Sequence, residues 1–327
     1  MAEPDDTRAA ASSEVRRALL IGIDDYATFP KLDACVSDVQ RLRPLLERHA
    51  DGRPNFVVET LESGGEVLTE ARLTQALRQF FATPADVLLL YFAGHGAYDE
   101  FEKAGYLVAQ DGVKDDYGIG MERLIGYANR AKARHRVIVL DCCHADAVDN
   151  SFATGGLVSL ADGVVVLAAT RDEEEAIEAE AGGVFTTLLA AALDGAAADP
   201  VTGAVSVANV HGYIDAALGG GEQSPTFKAN VARWCVVRLT EPVVPRETVL
   251  RLTSYFERPD DELPLGMEPP APGDTPDEAA ADVQALREAG LIKPVGHEHE
   301  YSAALGRGAC LTPLGRYYWK RVQEARF

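Results

Sequence analysis

Two short stretches of this chain carry residue types able to do covalent chemistry. Tyr91-Phe92-Ala93-Gly94-His95-Gly96 presents an imidazole between glycines, and Val139-Leu140-Asp141-Cys142-Cys143-His144 presents two thiols behind a carboxylate. A thiol attacks a carbonyl only after losing its proton. An imidazole titrates near neutral pH, so it can take that proton and hand it to a leaving group. A cysteine and a histidine held together are therefore a nucleophile with its proton partner. Glycines beside His95 permit close approach of a substrate backbone. The backbone N–H groups of Gly96 and Cys143 are candidates for an oxyanion hole, where one donor is worth ~3 kcal/mol. A lone cysteine is more often an inert core residue; the pairing of the two stretches favours a cysteine hydrolase.

Both stretches end apolar runs that read as buried strands, Asp86 to Phe92 and Arg136 to Leu140. If these are parallel neighbours, both endings lie at one rim of a sheet, and open parallel sheets place their sites at the carboxyl ends of strands. Alternation along the second strand points Cys142 away from Cys143. Further strands are expected over Arg17 to Ile23, Asn55 to Leu61, Gly163 to Ala169 and Trp234 to Leu239. Helices are expected over Cys35 to His49, Thr69 to Phe81 with Thr69 as cap, Met121 to Ala133, Val184 to Leu193 and Val207 to Leu218. Pro44 either kinks the first helix or marks its first turn. Tyr106 to Ala109 reads as part of a small hairpin. Short apolar strands alternating with amphipathic helices predict an α/β fold with a mostly parallel sheet sandwiched by helices.

The 327 residues suffice for such a core plus a smaller domain. A formal net charge of −20 argues against a generally basic nucleic-acid surface. No apolar run is long enough to span a bilayer, and the first residues lack an apolar signal core. The five cysteines, scattered apart from one adjacent pair, are no disulfide framework; a reducing cytoplasm fits them best. Residues 1–15 read as a disordered tail, 16–240 as the α/β domain and 241–276 as a proline-rich acidic connection. Residues 277–327 read as a small α+β module of winged-helix type, with helix, short strand, hairpin and final helix.

Four blocks in order resemble the caspase-like cysteine peptidases, and within them the metacaspase-like bacterial branch. They are Ala18 to Tyr26 with Leu32 to Asp38, Phe92 to Gly96, Leu140 to His144, and Gly183 to Thr187 with Gln223 to Phe227. The resemblance implies endopeptidase activity through a His95/Cys143 dyad, Cys143 being the cysteine directly before a histidine. Caspases proper read aspartate through arginines, one of which follows the first strand; Leu32 stands at that place. Metacaspase-like members read arginine or lysine through two acids, which match Asp38 and Asp141. A pocket floored by two carboxylates favours a cationic side chain, above all a bidentate arginine. Taken singly, Asp38 also reads as a first-turn helix acid and Asp141 as a strand-end acid holding a loop.

Many relatives of this type mature by cutting the loop after the nucleophile, and a basic-specific enzyme needs Arg or Lys there. From Cys143 to Thr170 there is none, so this chain is expected to work uncut, switched by a regulatory protein or small-molecule activator. No cofactor is expected. Asp111, Asp115, Asp116, Asp146 and Asp149 are oxygen donors in loops, but their spacing is not that of a calcium loop. His297-Glu298-His299-Glu300 reads as a solvated hairpin tip. The last helix interleaves Arg316, Lys320, Arg321 and Arg326 with Tyr317, Tyr318 and Trp319. That pattern suits a nucleic-acid patch or a helix burying Tyr318, Trp319 and Val322, and the acidic surroundings favour the second. By resemblance the module recruits or regulates, in a bacterial defence or cell-death setting. The rival from another class is a catalytically silent caspase fold serving as a signalling scaffold.

Overall fold

In the computed structural model of the chain the described residues are 14–142, 159–169, 183–218, 225–264, 276–295 and 308–327. The chain runs β1 (Arg16–Gly22), α1 (Cys35–Glu47), β2 (Val57–Glu62), α2 (Glu70–Ala82), β3 (Val87–Ala93), β4 (Gly96–Asp99), β5 (Ala104–Val113) and β6 (Asp116–Gly120). It continues through α3 (Met121–Arg130), β7 (His135–Asp141), β8 (Val164–Ala168), α4 (Val184–Ala191), β9 (Ala204–Ser206), α5 (Val207–Leu218), β10 (Thr226–Asn230) and β11 (Val236–Leu239). The remainder is α6 (Arg246–Leu250), α7 (Leu252–Tyr255), β12 (Glu262–Pro264), α8 (Pro276–Glu288), β13 (Ile292–Pro294), β14 (Gly308–Leu311) and α9 (Pro313–Gln323).

Six strands form the main sheet in the order β10-β8-β7-β3-β1-β2. All neighbours pair parallel except β10, which runs antiparallel along β8. The central strand β3 is VLLLYFA, with every residue buried, because a parallel strand covered on both faces has no solvent side to spare for polar residues. Its alternation divides the core. Val87, Leu89, Tyr91 and Ala93 pack with Val39, Leu42 and Leu46 of α1, Leu189 of α4 and Val210 of α5. Leu88, Leu90 and Phe92 face Leu73 and Leu77 of α2 and Leu124 and Ile125 of α3. Each buried aliphatic side chain of this kind contributes ~1.5–3 kcal/mol. At Gly22 a Cβ would lie 2.6 Å from the carbonyl oxygen of Cys35, so only glycine lets α1 begin this close to β1.

Thr69 caps α2, its hydroxyl accepting from the Arg72 N–H at 3.2 Å. Pro44 lies inside α1, nine residues after the helix opens at Cys35, which removes the first-turn alternative. The expected small hairpin is larger: β4, β5 and β6 make a three-stranded antiparallel sheet. The segment ending at Leu239 does not close the main sheet. As β11 it pairs with β9, and the edge is taken by β10, whose half-exposed TFKAN lacks the apolar run that would announce a strand.

By internal contacts the chain separates into two units, 10–198 with 204–240, and 199–203 with 241–327. In the second, β12, β14 and β13 form an antiparallel sheet, and Leu252, Phe256, Leu286, Leu291, Leu311 and Trp319 build the core. Asp282 of α8 is buried yet fully engaged: it accepts from the Thr248 and Tyr255 hydroxyls at 2.7 Å and from the Arg251 guanidinium at 2.6 Å. The hairpin tip and its His297-Glu298-His299-Glu300 lie outside the described residues, as does the tail before residue 14. No helix among the described residues is long and apolar enough to cross a membrane.

A buried histidine makes the first unit sensitive to acid. His49 Nδ1 accepts the Leu239 N–H at 3.0 Å. Burial, and the nearby charges of Arg16, Arg53 and Arg238, push its pKa down from 6.5 to about 4. The native form thus resists a proton that the unfolded chain takes up, so stability present above pH 6.5 is lost as pH falls toward 4. Urea midpoints at pH 7 and pH 5 should differ less for His49→Gln than for wild type; equal differences would contradict this role.

Candidate active site

The site is assembled by register. Gly22 of β1 pairs with Ala93 of β3, and Ala93 with Asp141 of β7, so three parallel strands end level. The residues that follow, Ile23, Gly94 and Cys142, therefore sit at the same rim. His95 stands two residues past β3, half-buried.

The loop after β1 holds His95 at two points. The Tyr26 hydroxyl accepts the His95 backbone N–H at 2.8 Å, and the Pro30 carbonyl oxygen lies 2.8 Å from Nε2. A carbonyl only accepts, so the bond requires the proton on Nε2 and leaves Nδ1 with its lone pair. The ring is flanked by Tyr26 and Phe29 at centroid distances of 4.7 and 5.8 Å. Burial pushes the Tyr26 phenol well above its ordinary value, so it stays a neutral hydroxyl. Gly94 is required by the same packing, because a Cβ there would collide with the Tyr26 hydroxyl oxygen. Gly96 follows as the first residue of β4.

The two acids come together around the start of α4. Asp38, in the first turn of α1, is buried and lies 3.4 Å from the Gly183 N–H, which donates to its Oδ2. Asp141, the last residue of β7, is buried and accepts from the Thr186 hydroxyl at 2.7 Å. Thr186 in turn is 2.6 Å from the Tyr91 hydroxyl. Helix N-termini favour negative charge, and the first turn of α4 presents its donors to both carboxylates. α1 itself opens without a side-chain cap from Ala34. Asp24 supplies one from a distance, its carboxylate accepting from the N–H groups of Cys35 at 2.8 Å and Val36 at 3.3 Å.

Cys143 and His144 lie outside the described residues; Cys142, just before them, is fully buried in the cluster facing α2 and α3. Burial beside Asp24 raises the Cys35 thiol far above its ordinary pKa, which makes it a poor nucleophile. Among the described residues no three His, Cys, Asp or Glu side chains gather as a metal site. Asp111 instead accepts from the Glu70 N–H at the start of α2 at 2.9 Å, and Asp146 and Asp149 lie outside the described residues. Residue types alone did not single out Asp24, Tyr26, Pro30, Tyr91 or Thr186. Asp24 to Pro30 directly follow a strand that ends at the rim, and that position was the available signal.

A mostly parallel sheet flanked by helices on both faces is similar to the fold of caspase-type cysteine peptidases. The chain belongs to the caspase-domain family, peptidase family C14, whose model matches residues 15–233. Metacaspase-6 of Arabidopsis thaliana is 34% identical over 108 residues, 32% of this chain and 27% of the relative. Metacaspase-1 of Eremothecium gossypii is 33% identical over 90 residues, 26% of this chain and 20% of the relative. The chain therefore spans no more than 27% of the length of either relative. The crystal structure of a protein from Geobacter sulfurreducens matches with a TM-score of 0.50 and 17% identity, covering 69% of this chain and 100% of that one. That likeness bears on the fold alone.

The packing of Gly94 against Tyr26 yields a test by double substitution. Tyr26→Phe should cost about 1 kcal/mol of stability through the lost hydrogen bond, and Gly94→Ala about 2–3 kcal/mol through overpacking. The double variant should be more stable than Gly94→Ala alone, because Phe lacks the colliding oxygen. Additive losses in urea unfolding would contradict the contact.

Proposed function

We propose that the chain is a cysteine endopeptidase that cleaves after arginine, and less readily after lysine. Cys143 is the nucleophile, His95 its proton partner, and Asp38 and Asp141 the basic-residue pocket. The observation that carries the reading is the bond from His95 Nε2–H to the Pro30 carbonyl. It fixes the tautomer whose Nδ1 accepts a thiol proton. In the first step the Cys143 proton passes to Nδ1 and the sulfur bonds to the substrate carbonyl carbon. The N–H groups of Gly96 and Cys143 hold the oxyanion. Collapse breaks the C–N bond, and Nδ1–H protonates the departing amine. Water then adds to the thioester carbon, giving a proton to Nδ1; collapse breaks the C–S bond, releases the carboxylic acid product, and Nδ1–H returns its proton to the thiolate.

The pocket reading is supported by the company that Asp38 and Asp141 keep. Asp38 accepts from the Gly183 N–H and Asp141 from the Thr186 hydroxyl, so both buried acids gather around the start of α4. A guanidinium can bond such acids bidentately, an ammonium only as a point charge. The second unit fits a winged-helix-like recruitment or regulatory module better than a DNA reader. Tyr318 and Trp319 are buried. Arg316 pairs with Asp260 at 2.7 Å, and Arg326 with Glu324 at 3.2 Å, so cations that would meet phosphates are balanced by acids. A cytoplasmic bacterial defence or cell-death pathway is the setting this reading favours.

Fluorogenic peptides ending in Arg, Lys or Asp test the proposal. Wild type should turn over the Arg peptide fastest and leave the Asp peptide intact. Cys143→Ala and His95→Ala should each lose activity by about 10³-fold or more; retention of activity by Cys143→Ala would overturn the dyad. Incubated alone, wild type should remain uncut between Cys143 and Val164, a stretch that holds no Arg or Lys. A cut there in wild type and not in Cys143→Ala would refute activation without cleavage in this loop.

A further inference from the structure

The pocket carboxylate Asp141 is tied into the core by two successive hydroxyls. Tyr91 lies at the middle of the sheet and is almost fully buried. Its hydroxyl meets Thr186 Oγ1 at 2.6 Å, and Thr186 donates to Asp141 Oδ2 at 2.7 Å. The direction of the chain follows from counting protons. A carboxylate accepts only, so the single hydrogen of Thr186 goes to Asp141, and Tyr91 must be the donor to Thr186. Burial together with the charges of Asp141 and Asp38 pushes the Tyr91 phenol well above its ordinary pKa, which keeps that hydrogen in place. Chains of hydrogen bonds in a dry interior polarise one another, and the last bond, to a charged acceptor, is the strong kind.

We propose that Tyr91 and Thr186 are positioning residues for arginine selection: the Tyr91–Thr186–Asp141 relay aims the Asp141 carboxylate at the substrate's basic side chain. The proposal rests on the reading of Asp141 as part of a basic-residue pocket. It places part of the specificity on α4, far along the chain from both dyad residues. Neither residue touches substrate. Thr186 is fully buried on the first turn of α4, and Tyr91 shares with Asp141 the sheet face that α4 covers, four residues before His95. The effect should therefore fall on recognition of charge, with bond breaking largely spared.

Steady-state kinetics with peptides carrying arginine or its neutral isostere citrulline at the cleaved position test this in Thr186→Val, Thr186→Ser, Tyr91→Phe and Asp141→Asn. Thr186→Val should raise KM for the arginine peptide about tenfold with kcat within about twofold, a shift worth ~1.4 kcal/mol. Thr186→Ser, which keeps the hydroxyl, should restore wild-type KM, and Tyr91→Phe should fall between. The citrulline peptide should respond to none of them. A folded Thr186→Val with wild-type KM overturns the relay. An Asp141→Asn with wild-type KM for arginine overturns the pocket reading beneath it. Calorimetric binding of agmatine, a free guanidinium probe, to Cys143→Ala and its Thr186→Val derivative reads the same pocket without turnover. About tenfold weaker binding supports the relay, equal binding overturns it, and no binding by either protein overturns pocket and relay together.

Discussion

The site depends on one constraint: β1, β3 and β7 are parallel and end in register at Gly22, Ala93 and Asp141. The side-chain period of a strand is two, so a slip of one residue would exchange the faces. Tyr91 and Asp141 would then turn toward α2 and α3, and Cys142 toward α1. The all-buried β3 resists such a slip, because its two faces carry different volumes matched to different helices. Register thus decides which residues reach the rim, and the loop after β1 decides how the histidine is held there. That loop is anchored twice in its own right, by the Leu32 N–H to the Asp24 carbonyl and by the Asp24 carboxylate at the start of α1.

Burying two acids near each other is costly unless donors surround them. The fold meets this with the first turn of α4, which offers a backbone N–H to Asp38 and a hydroxyl to Asp141. The second unit buries an acid by the same means. Asp282 is met by a guanidinium and two hydroxyls, and that carboxylate is a structural tie between α8 and the α6–α7 segment.

The parallel sheet was legible in the sequence because its strands are continuous apolar runs between helical patterns; the pairing of β3 with β7 was only a condition suggested by the chemistry at their ends, and the structure meets it. His95, Asp38 and Asp141 were singled out by motif, and the structure sets the two acids around the start of α4. The edge strand β10 was not, since a half-exposed TFKAN has no burial pattern to read, and β11 looked like a sheet strand because its residues suit any sheet. Tyr91 and Thr186 were hidden for a different reason: a tyrosine in an apolar strand and a threonine in an apolar helix read as core. Only the tertiary pairing of β3, β7 and α4 turns their hydroxyls into a line. Cys143 rests on motif alone, with its place after β7 as the structural context.

The central claim is that one thiol, activated by His95 and addressed by a basic side chain, does the chemistry. Labelling with a peptidyl-arginine chloromethyl ketone, followed by peptide mapping, addresses it most directly. A single adduct on Cys143 is expected, formed much faster than with the matching aspartate reagent and strongly slowed in His95→Ala. Labelling of Cys142 or Cys35, or equal rates with the aspartate reagent, would contradict the account.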